Sequence, residues 1–299
     1  MNNRPVLDTL FRDAVTAIDA GDVVTLERLL AEHPELVRER LKAPGAWLHD
    51  KVGGALEGFF RKPYLLWFVA EDPVRNDRLP GNIAEVTRAI IGAAVRGKVK
   101  TLQAQLDYTL RLVAWSGVAA ECGVQIGLID VLTDAGASPE GCPDDALVNR
   151  HAAAAEHLLQ RGASLTLGPA LLLGRWEDVT RLAQAASTRE RQSAFVLAAL
   201  NGKAEALRRM IELGVDVNSP SKDLYAHATP LHHAVCSGSV EAVRVLVEAG
   251  AGLRARDKGE NATPLGWAEY YLTSVRGDRS REYAEIAAYL RDRDAAMRT

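Results

Sequence analysis

The order of apolar and polar positions along the chain predicts pairs of short amphipathic helices. The clearest pair lies at 228–252, ATPLHHAVCSGSVEAVRVLVEAGAG. Apolar residues at 231, 234 and 235 form one stripe, and those at 243, 246 and 247 recur at the i, i+3, i+4 spacing of a second helix. Neither helix can bury its stripe alone, so we expect each pair to pack on a neighbouring pair.

The ends of the first helix in this pair are marked by the residues at its boundaries. Thr229 is a typical N-cap residue, and Pro230 follows at the first helical position, where a missing N–H costs nothing. Gly238 is placed to end the helix in a left-handed conformation. We therefore predict a short helix between Thr229 and Gly238.

The same pattern recurs along the whole chain. Leu265 follows Leu231 by 34 residues, and Gly202 precedes Gly238 by 36. Weaker copies lie at 10–37, 64–95, 125–138, 152–164 and 169–182. Together these segments predict about eight helix pairs, and the stripe at 283, 286, 287 and 290 predicts a capping helix at about 280–295.

The segment 229–234 reads T-P-L-H-H-A, and this unit resembles an ankyrin repeat. The best-formed copies lie at 193–272. The resemblance implies an all-α ankyrin-repeat solenoid with short hairpin fingers, a finger being the loop before the first helix of a pair. It also implies that His232 hydrogen-bonds locally and fixes the geometry between repeats. We expect residues 1–299 to form a single domain of this kind.

Three stretches do not fit the repeat period and are predicted to be insertions. Two of them, 41–62 and 71–82, flank the segment PYLLWFVA and are rich in Gly, Pro and Asn. A shorter one lies at 116–125. Insertions in repeat proteins map to loops on one face, which is often the binding face.

Composition and charge exclude several classes of protein. Lys and Arg number 36 against 39 Asp and Glu, a net charge of −3 with no basic stripe, so a nucleic-acid partner is not expected. The three cysteines are far apart, which argues against disulfides and a zinc site. The N-terminus lacks the apolar core of a signal peptide, and no apolar run is long enough to span a bilayer. We expect a cytoplasmic protein with no membrane partner.

A group of histidines beside a cysteine admits two interpretations. His227, His232, His233 and Cys236 include pairs three and four residues apart, which a helix brings to one side. One interpretation is a metal site or a Cys/His nucleophile. The other is that His232 is the structural histidine of the repeat and Cys236 is a small half-buried residue. The second interpretation is favoured, and no metal site is predicted.

Candidate recognition residues follow from the repeat register. The resemblance implies that Phe68, His233 and Trp267 face the concave groove, and that Tyr225 and His227 lie in a finger. Tyr270 lies three residues after Trp267, so the two could extend an aromatic patch suited to a recognition hot spot. The alternative is that Trp267 seals the last repeat.

The N-terminal insertions suggest a second site. Trp47, His49 and Asp50 lie in one insertion, and Asp72 and Arg75 lie in the other, after Phe68. If the insertions meet, these side chains could roof a small-molecule pocket in which a histidine and carboxylates perform acid–base chemistry. The alternative is a solvated loop with local ion pairs of little energetic value.

These observations favour a binding scaffold that recognises a protein partner through its concave face and fingers. The alternative is a small-molecule-binding protein or an enzyme with a pocket roofed by the insertions; a structural tether cannot be separated from the scaffold by sequence. The chain contains no phosphate-binding loop, dinucleotide fingerprint, H-E-x-x-H or G-x-S-x-G motif, so no cofactor is predicted.

Overall fold

The structure is a computed structural model that describes residues 6–274 and 279–297. The chain divides into two compact units, Met1–Ser164 and Leu165–Thr299. Every regular element in the described ranges is a helix, and those ranges contain no strand. The predicted all-α class is therefore confirmed.

The first unit consists of α-helices and two 3-10 helices. Its described elements are α1 Leu7–Ala20, α2 Val23–Glu32, α3 Glu35–Arg38, α4 Ala46–Val52, the 3-10 helices Gly53–Leu56 and Leu65–Ala70, α5 Ile83–Arg96, α6 Leu102–Trp115, α7 Gly117–Glu121, α8 Gln125–Asp134, α9 Cys142–Val148 and α10 Ala152–Gln160.

The second unit contains only α-helices in its described part. They are α11 Leu167–Leu172, α12 Trp176–Ala185, α13 Thr188–Leu200, α14 Ala204–Glu212, α15 Pro230–Ser237, α16 Val240–Glu248, α17 Pro264–Ser274 and α18 Arg279–Ala296. A search of the described helices of both units finds none that combines the length and the apolar character needed to cross a bilayer.

Helices of the first unit pack as successive pairs. Within residues 6–164, α1 pairs with α2, the 3-10 helix Leu65–Ala70 with α5, α6 with α8, and α9 with α10. The first members of these pairs pack in series on one another, and so do the second members. The segment PYLLWFVA thus occupies the predicted first-helix position, although it forms a 3-10 helix.

The second unit repeats the same arrangement. The pairs are α11 with α12, α13 with α14, α15 with α16, and α17 with α18. First helices α11, α13, α15 and α17 pack in series, and α14, α16 and α18 do so on the other side. The apolar stripe of α18 (Tyr283, Ile286, Ala287 and Leu290) is buried.

Local sequence explains where the helices of the best repeat begin and end. Thr229 is the N-cap of α15, and Pro230 is its first residue. Gly238 ends α15 in the left-handed region with φ of 76°, a conformation that favours glycine. The Ser239 hydroxyl then accepts a hydrogen bond from the Ala242 amide at 3.2 Å and caps α16.

Two of the three insertions contain helical structure of their own. Residues 41–62 include α4 and the 3-10 helix Gly53–Leu56, and 116–125 include α7. Residues 71–82 form turns and bends. The two longer insertions touch, because Lys51 Nζ donates a hydrogen bond to Asn76 Oδ1 at 2.6 Å.

Candidate functional site

Four of the predicted recognition residues lie together in the second unit. The ring centroid of His233 is 5.9 Å from that of Tyr225, 6.3 Å from that of His227 and 6.2 Å from that of Trp267. His227 and Trp267 are also 6.2 Å apart. These four residues are called the finger cluster, and its spacings lie within the range of aromatic ring contacts.

The cluster is built from two consecutive fingers and the helices that follow them. Tyr225 and His227 belong to the finger before α15, and Trp267 lies on α17. The two fingers are joined by a backbone hydrogen bond from the Lys258 amide to the His227 carbonyl, with a length of 2.8 Å. This bond fixes the spacing between successive fingers.

His232 makes the second link between the two repeats. Its Nδ1 accepts from the Thr229 hydroxyl at 2.8 Å, so its Nε2 carries the proton and donates to the Ala262 carbonyl at 3.1 Å. Burial lowers the pKa of His232, which keeps the ring neutral. The local structural role that the resemblance implies for this histidine is confirmed.

Trp267 is held by a buried carboxylate that sequence reasoning did not single out. Its indole N–H donates to Asp257 Oδ2 at 3.0 Å, and Asp257 also accepts from the backbone amides of Gly259, Glu260 and Ala262. Burial raises the pKa of Asp257, but the hydrogen bond from Trp267 and the three amides outweigh burial and lower it to about 2. Asp257 therefore fixes the finger and orients the indole.

His233 does not face an open groove, contrary to the expectation from the resemblance. Its side chain is buried, with 2% of the residue exposed, and its Nε2 has no hydrogen-bond partner in the described part of the chain. Burial, together with the nearby His227 and His232, lowers its pKa from 6.5 to about 4. His233 is thus a neutral, buried side chain against which the other three rings of the finger cluster pack.

The accessible part of the cluster consists of aromatic side chains. Tyr225 is 42% exposed, His227 is exposed and Trp267 is half-buried. Tyr270 is 65% exposed and joins the cluster indirectly, because its ring lies 5.6 Å from that of Tyr271, which in turn contacts Trp267. Tyr271, which the sequence analysis did not name, thus links Tyr270 to the predicted residues.

His232 and Cys236, two of the residues considered as metal ligands or nucleophiles, take part in hydrogen bonds. Both nitrogens of His232 are engaged in hydrogen bonds, and Cys236 Sγ accepts one from the Tyr271 hydroxyl at 3.2 Å. Residues 6–274 and 279–297 contain no group of three or more His, Cys, Asp or Glu side chains arranged to hold a metal ion.

The residues predicted near the N-terminal insertions do not share one surface. His49 and Asp50 are exposed on α4, whereas Phe68, Asp72 and Arg75 are buried. Phe68 is therefore a core residue, which corrects its expected place in a concave groove. Trp47 is half-buried: its ring stacks on Phe68 at 6.4 Å, and its indole N–H donates to Asp8 at 2.8 Å.

Asp72 and Arg75 belong to a buried ionic cluster and not to a solvated turn. The Arg75 side chain is 2% exposed and forms ion pairs with Glu71 at 2.7 Å and with Asp19 at 2.9 Å. Its second terminal nitrogen also donates to the Phe68 carbonyl at 2.9 Å. Asp19, Glu71, Asp72 and Arg75 are called the Arg75 cluster.

The carboxyl groups of this cluster differ in their hydrogen-bond partners. Glu71 Oε1 accepts from the backbone amides of Arg75 and Asn76. Asp72 lies 6% exposed, and its Oδ2 has no hydrogen-bond partner in the described part of the chain. Burial and the neighbouring Glu71 raise the pKa of Asp72 from 3.8 to about 7, so this carboxyl is partly protonated at neutral pH.

Comparison with known proteins identifies the repeats. The family model described as "Ankyrin repeats (3 copies)" matches residues 145–257. Residues 145–257 contain ankyrin repeats. The match covers the unit 228–252, which contains the T-P-L-H segment and the hydrogen bond between Thr229 and His232.

Other comparisons add little about the chain as a whole. No curated protein matches the sequence. A crystal structure of the human ASB11 ankyrin repeat domain is similar over 94% of this chain and 96% of its own, with 15% identity and a TM-score of 0.39. A similarity at this level carries no conclusion about the arrangement of the whole chain.

Two carboxylates were missed by sequence reasoning. The Asp257 side chain accepts hydrogen bonds from the amides two and three residues later. An Asp that stabilises a turn in this way is a recognisable signal in a sequence. Asp19 gives no such signal, because its partner Arg75 is 56 residues away in sequence.

Proposed function

We propose that this ankyrin-repeat chain is a binding scaffold that recognises a protein partner, and that the finger cluster with Tyr270 forms the centre of the contact. Ankyrin repeats generally mediate protein–protein interactions, and residues 145–257 carry three of them. The proposal places recognition on the fingers and on the first helices that follow them.

The observation that carries this proposal is the exposure of large aromatic rings on a rigid base. Tyr225 and Trp267 flank a buried neutral His233, and the Lys258–His227 backbone bond holds the two fingers together. Aromatic side chains with few rotatable bonds, already fixed by their neighbours, lose little entropy on binding and are enriched among interface hot spots.

The alternative of an enzyme or a small-molecule pocket under the insertions receives no support. It required Trp47, His49, Asp50, Phe68, Asp72 and Arg75 to line one cavity. His49 and Asp50 are exposed, while Arg75 and Phe68 are buried against other side chains.

The proposal is tested by a double substitution on the exposed rings, Tyr225→Ala with His227→Ala. Full-length protein is immobilised, binding partners are captured from an extract of the source cells, and each captured protein is quantified. A specific partner should be retained by the unmodified chain and depleted at least about tenfold on the double variant, as expected when hot-spot side chains are truncated.

The matched control is Leu213→Ala, because Leu213 is also an exposed apolar side chain of the second unit but lies outside the cluster. Capture by the control should equal that of the unmodified chain. If the double variant retains every protein that the control retains, the finger cluster is not the contact surface. Unchanged thermal unfolding of both variants separates loss of binding from loss of folding.

A further inference from the structure

A second surface lies in the first unit, where one insertion meets the side of α6. A groove of about 320 Å³ is lined by Phe59, Tyr108, Arg111, Leu112, Trp115 and Asp145. Four of these residues come from successive turns of α6, Asp145 comes from α9, and Phe59 comes from the insertion 41–62. The insertion therefore adds a wall that the helix pairs alone do not provide.

The walls of the groove are aromatic and partly open to solvent. Phe59 is 44% exposed, and its ring meets that of Trp115 edge-on at 5.8 Å. The Tyr108 hydroxyl donates to the Phe59 carbonyl, and this bond ties the insertion to α6. An exposed aromatic held in place by a backbone contact keeps apolar surface in water, which binding of an apolar group would remove.

One basic side chain, Arg111, lines this aromatic groove and is paired with the acidic Asp145 of the same lining. Arg111 is 59% exposed and binds Asp145 through Nε at 2.8 Å and Nη2 at 3.3 Å. Within the described part of the chain these bonds leave Nη1 for a second acceptor. A guanidinium with a free edge is well suited to a carboxylate.

A second guanidinium, that of Arg40, does not line the groove but lies near Tyr108. Arg40 stacks over Tyr64 at 4.6 Å and over Trp67 at 5.3 Å, and the Trp67 ring is 4.3 Å from that of Tyr108. Burial raises the pKa of Tyr108, while Arg111 and Arg40 act to lower it, as positive charges near the hydroxyl do. Asp72, the carboxyl that opposes them there, is itself partly protonated at neutral pH.

We propose that this groove binds an acidic peptide segment of a partner protein, which inserts one aromatic side chain between Phe59 and Trp115 and places a carboxylate against Arg111. The size favours a side chain over a free ligand, because about 320 Å³ is near the lower limit of small-molecule sites, about 300–1,000 Å³, and the groove is open. The positive charge of Arg111 and Arg40 selects the acidic flanks.

The test uses full-length protein and a fluorescein-labelled peptide of sequence Glu-Glu-Phe-Glu-Glu, followed by fluorescence anisotropy. Saturable binding is expected with a dissociation constant below about 1 mM, the range of weak but specific recognition. Peptides with Ala in place of Phe, or with Lys in place of Glu, should bind at least about tenfold more weakly if both the ring and the charges are recognised. Because the finger cluster is not involved, the Tyr225→Ala, His227→Ala variant should bind the acidic peptide unchanged.

Substitution of the two members of the Arg111–Asp145 ion pair should change peptide binding in opposite directions. Arg111→Ala removes the anion contact and should weaken binding, whereas Asp145→Ala frees Nε and Nη2 and should strengthen it by several-fold. A purely structural role of the pair would make both variants change binding in the same direction. Phe59→Ala should weaken binding, and Leu213→Ala, an exposed apolar residue of the second unit, should leave it unchanged.

Three results would overturn the proposal. The first is no saturable binding of the acidic peptide at about 1 mM, beyond which recognition is not specific. The second is equal binding of the Lys-flanked peptide, or an equal effect of Arg111→Ala and Asp145→Ala. The third is competition by phenylacetate as effective as by unlabelled peptide, which would assign the groove to a small aromatic acid.

Discussion

Two first helices occupy equivalent places in their pairs but end by different means. In the second unit, α15 ends at Gly238 with φ of 76°. In the first unit, the 3-10 helix Leu65–Ala70 ends at Glu71, a non-glycine residue with φ of 53°. Glycine adopts this conformation at no steric cost, whereas glutamate needs the surrounding structure to hold it there.

The interactions of Glu71 hold it in the left-handed conformation that Gly238 adopts without steric cost. Its carboxylate pairs with Arg75 at 2.7 Å, and Arg75 in turn binds Asp19 on α1 and the Phe68 carbonyl. The comparison shows that one repeat is specified by its own residues, while the other depends on a buried side-chain network drawn from distant segments.

The largest effect is expected for Arg75→Ala. Removing the arginine leaves Glu71 buried without its charge partner, so we expect the free energy of unfolding to fall by about 3–5 kcal/mol. Chemical denaturation measures the loss. The matched control is Arg244→Ala, which removes a half-exposed ion pair with Glu285 and should cost at most about 1 kcal/mol. Equal losses would show that burial of the Arg75 cluster does not matter.

The next effect concerns the core of the regular repeat. Leu246 is fully buried on α16, and Leu246→Ala should lower the free energy of unfolding by about 2–5 kcal/mol through loss of apolar contacts and formation of a cavity. Leu265 occupies the start of the next repeat but is only half-buried. Leu265→Ala should therefore cost clearly less, and a cost as large as that of Leu246→Ala would contradict its exposure.

The Arg75 cluster should make stability fall as the pH rises. Asp72 has a pKa of about 7 in the folded chain against 3.8 as its usual value, so the folded state binds more protons between these limits. Stability is therefore lost between about pH 4 and pH 7. Asp72→Asn keeps a neutral side chain and should flatten this slope in denaturation midpoints measured across the range. An unchanged slope would mean that Asp72 ionises normally.

The finger cluster should make stability fall as the pH falls, which is the opposite of the effect of the Arg75 cluster. His233 has a pKa of about 4 in the folded chain against 6.5, so the unfolded state binds more protons in that window. Stability is present above about pH 6.5 and is lost as the pH falls towards 4. His233→Gln should remove this part of the acid sensitivity. A variant as acid-sensitive as the unmodified chain would rule out His233 as its source.

The smallest effect on stability is expected at the exposed rings. Tyr225 and His227 are exposed, so their joint replacement by alanine should change the melting temperature by no more than a typical surface substitution. Trp267→Phe keeps an aromatic ring but removes one of the hydrogen bonds to the buried Asp257 carboxylate, whose three backbone amide donors remain, and should cost about 1–3 kcal/mol. Thermal unfolding distinguishes the two. A large loss for the Tyr225 and His227 variant would make those rings part of the core.

Much of the regular architecture was predictable because its causes are local. Thr229, Pro230 and Gly238 set the ends of α15, and the stripe at 243, 246 and 247 sets the buried face of α16. The register of the repeat brought Tyr225, His227, His233 and Trp267 into one cluster. The repeat period fixes which positions meet, so contacts between adjacent repeats can be derived from spacing.

The burial of individual polar residues was not predictable in the same way. An Asp/Arg alternation in a loop normally indicates solvated side chains, but Asp72 and Arg75 are buried. Their environment comes from Asp19 on α1 and from the rings that cover Phe68. The same holds for the groove between Phe59 and α6, since an insertion has no period that fixes where it folds.

The amino-acid sequence by itself determined the helix pairs and the ends of α15, because these depend on short-range capping and on a repeated spacing of apolar residues. Only the tertiary structure decided which charged side chains are buried and where the insertions close a groove. These outcomes depend on desolvation and on ion pairs between residues far apart in sequence, such as Asp19 and Arg75, for which no local pattern exists.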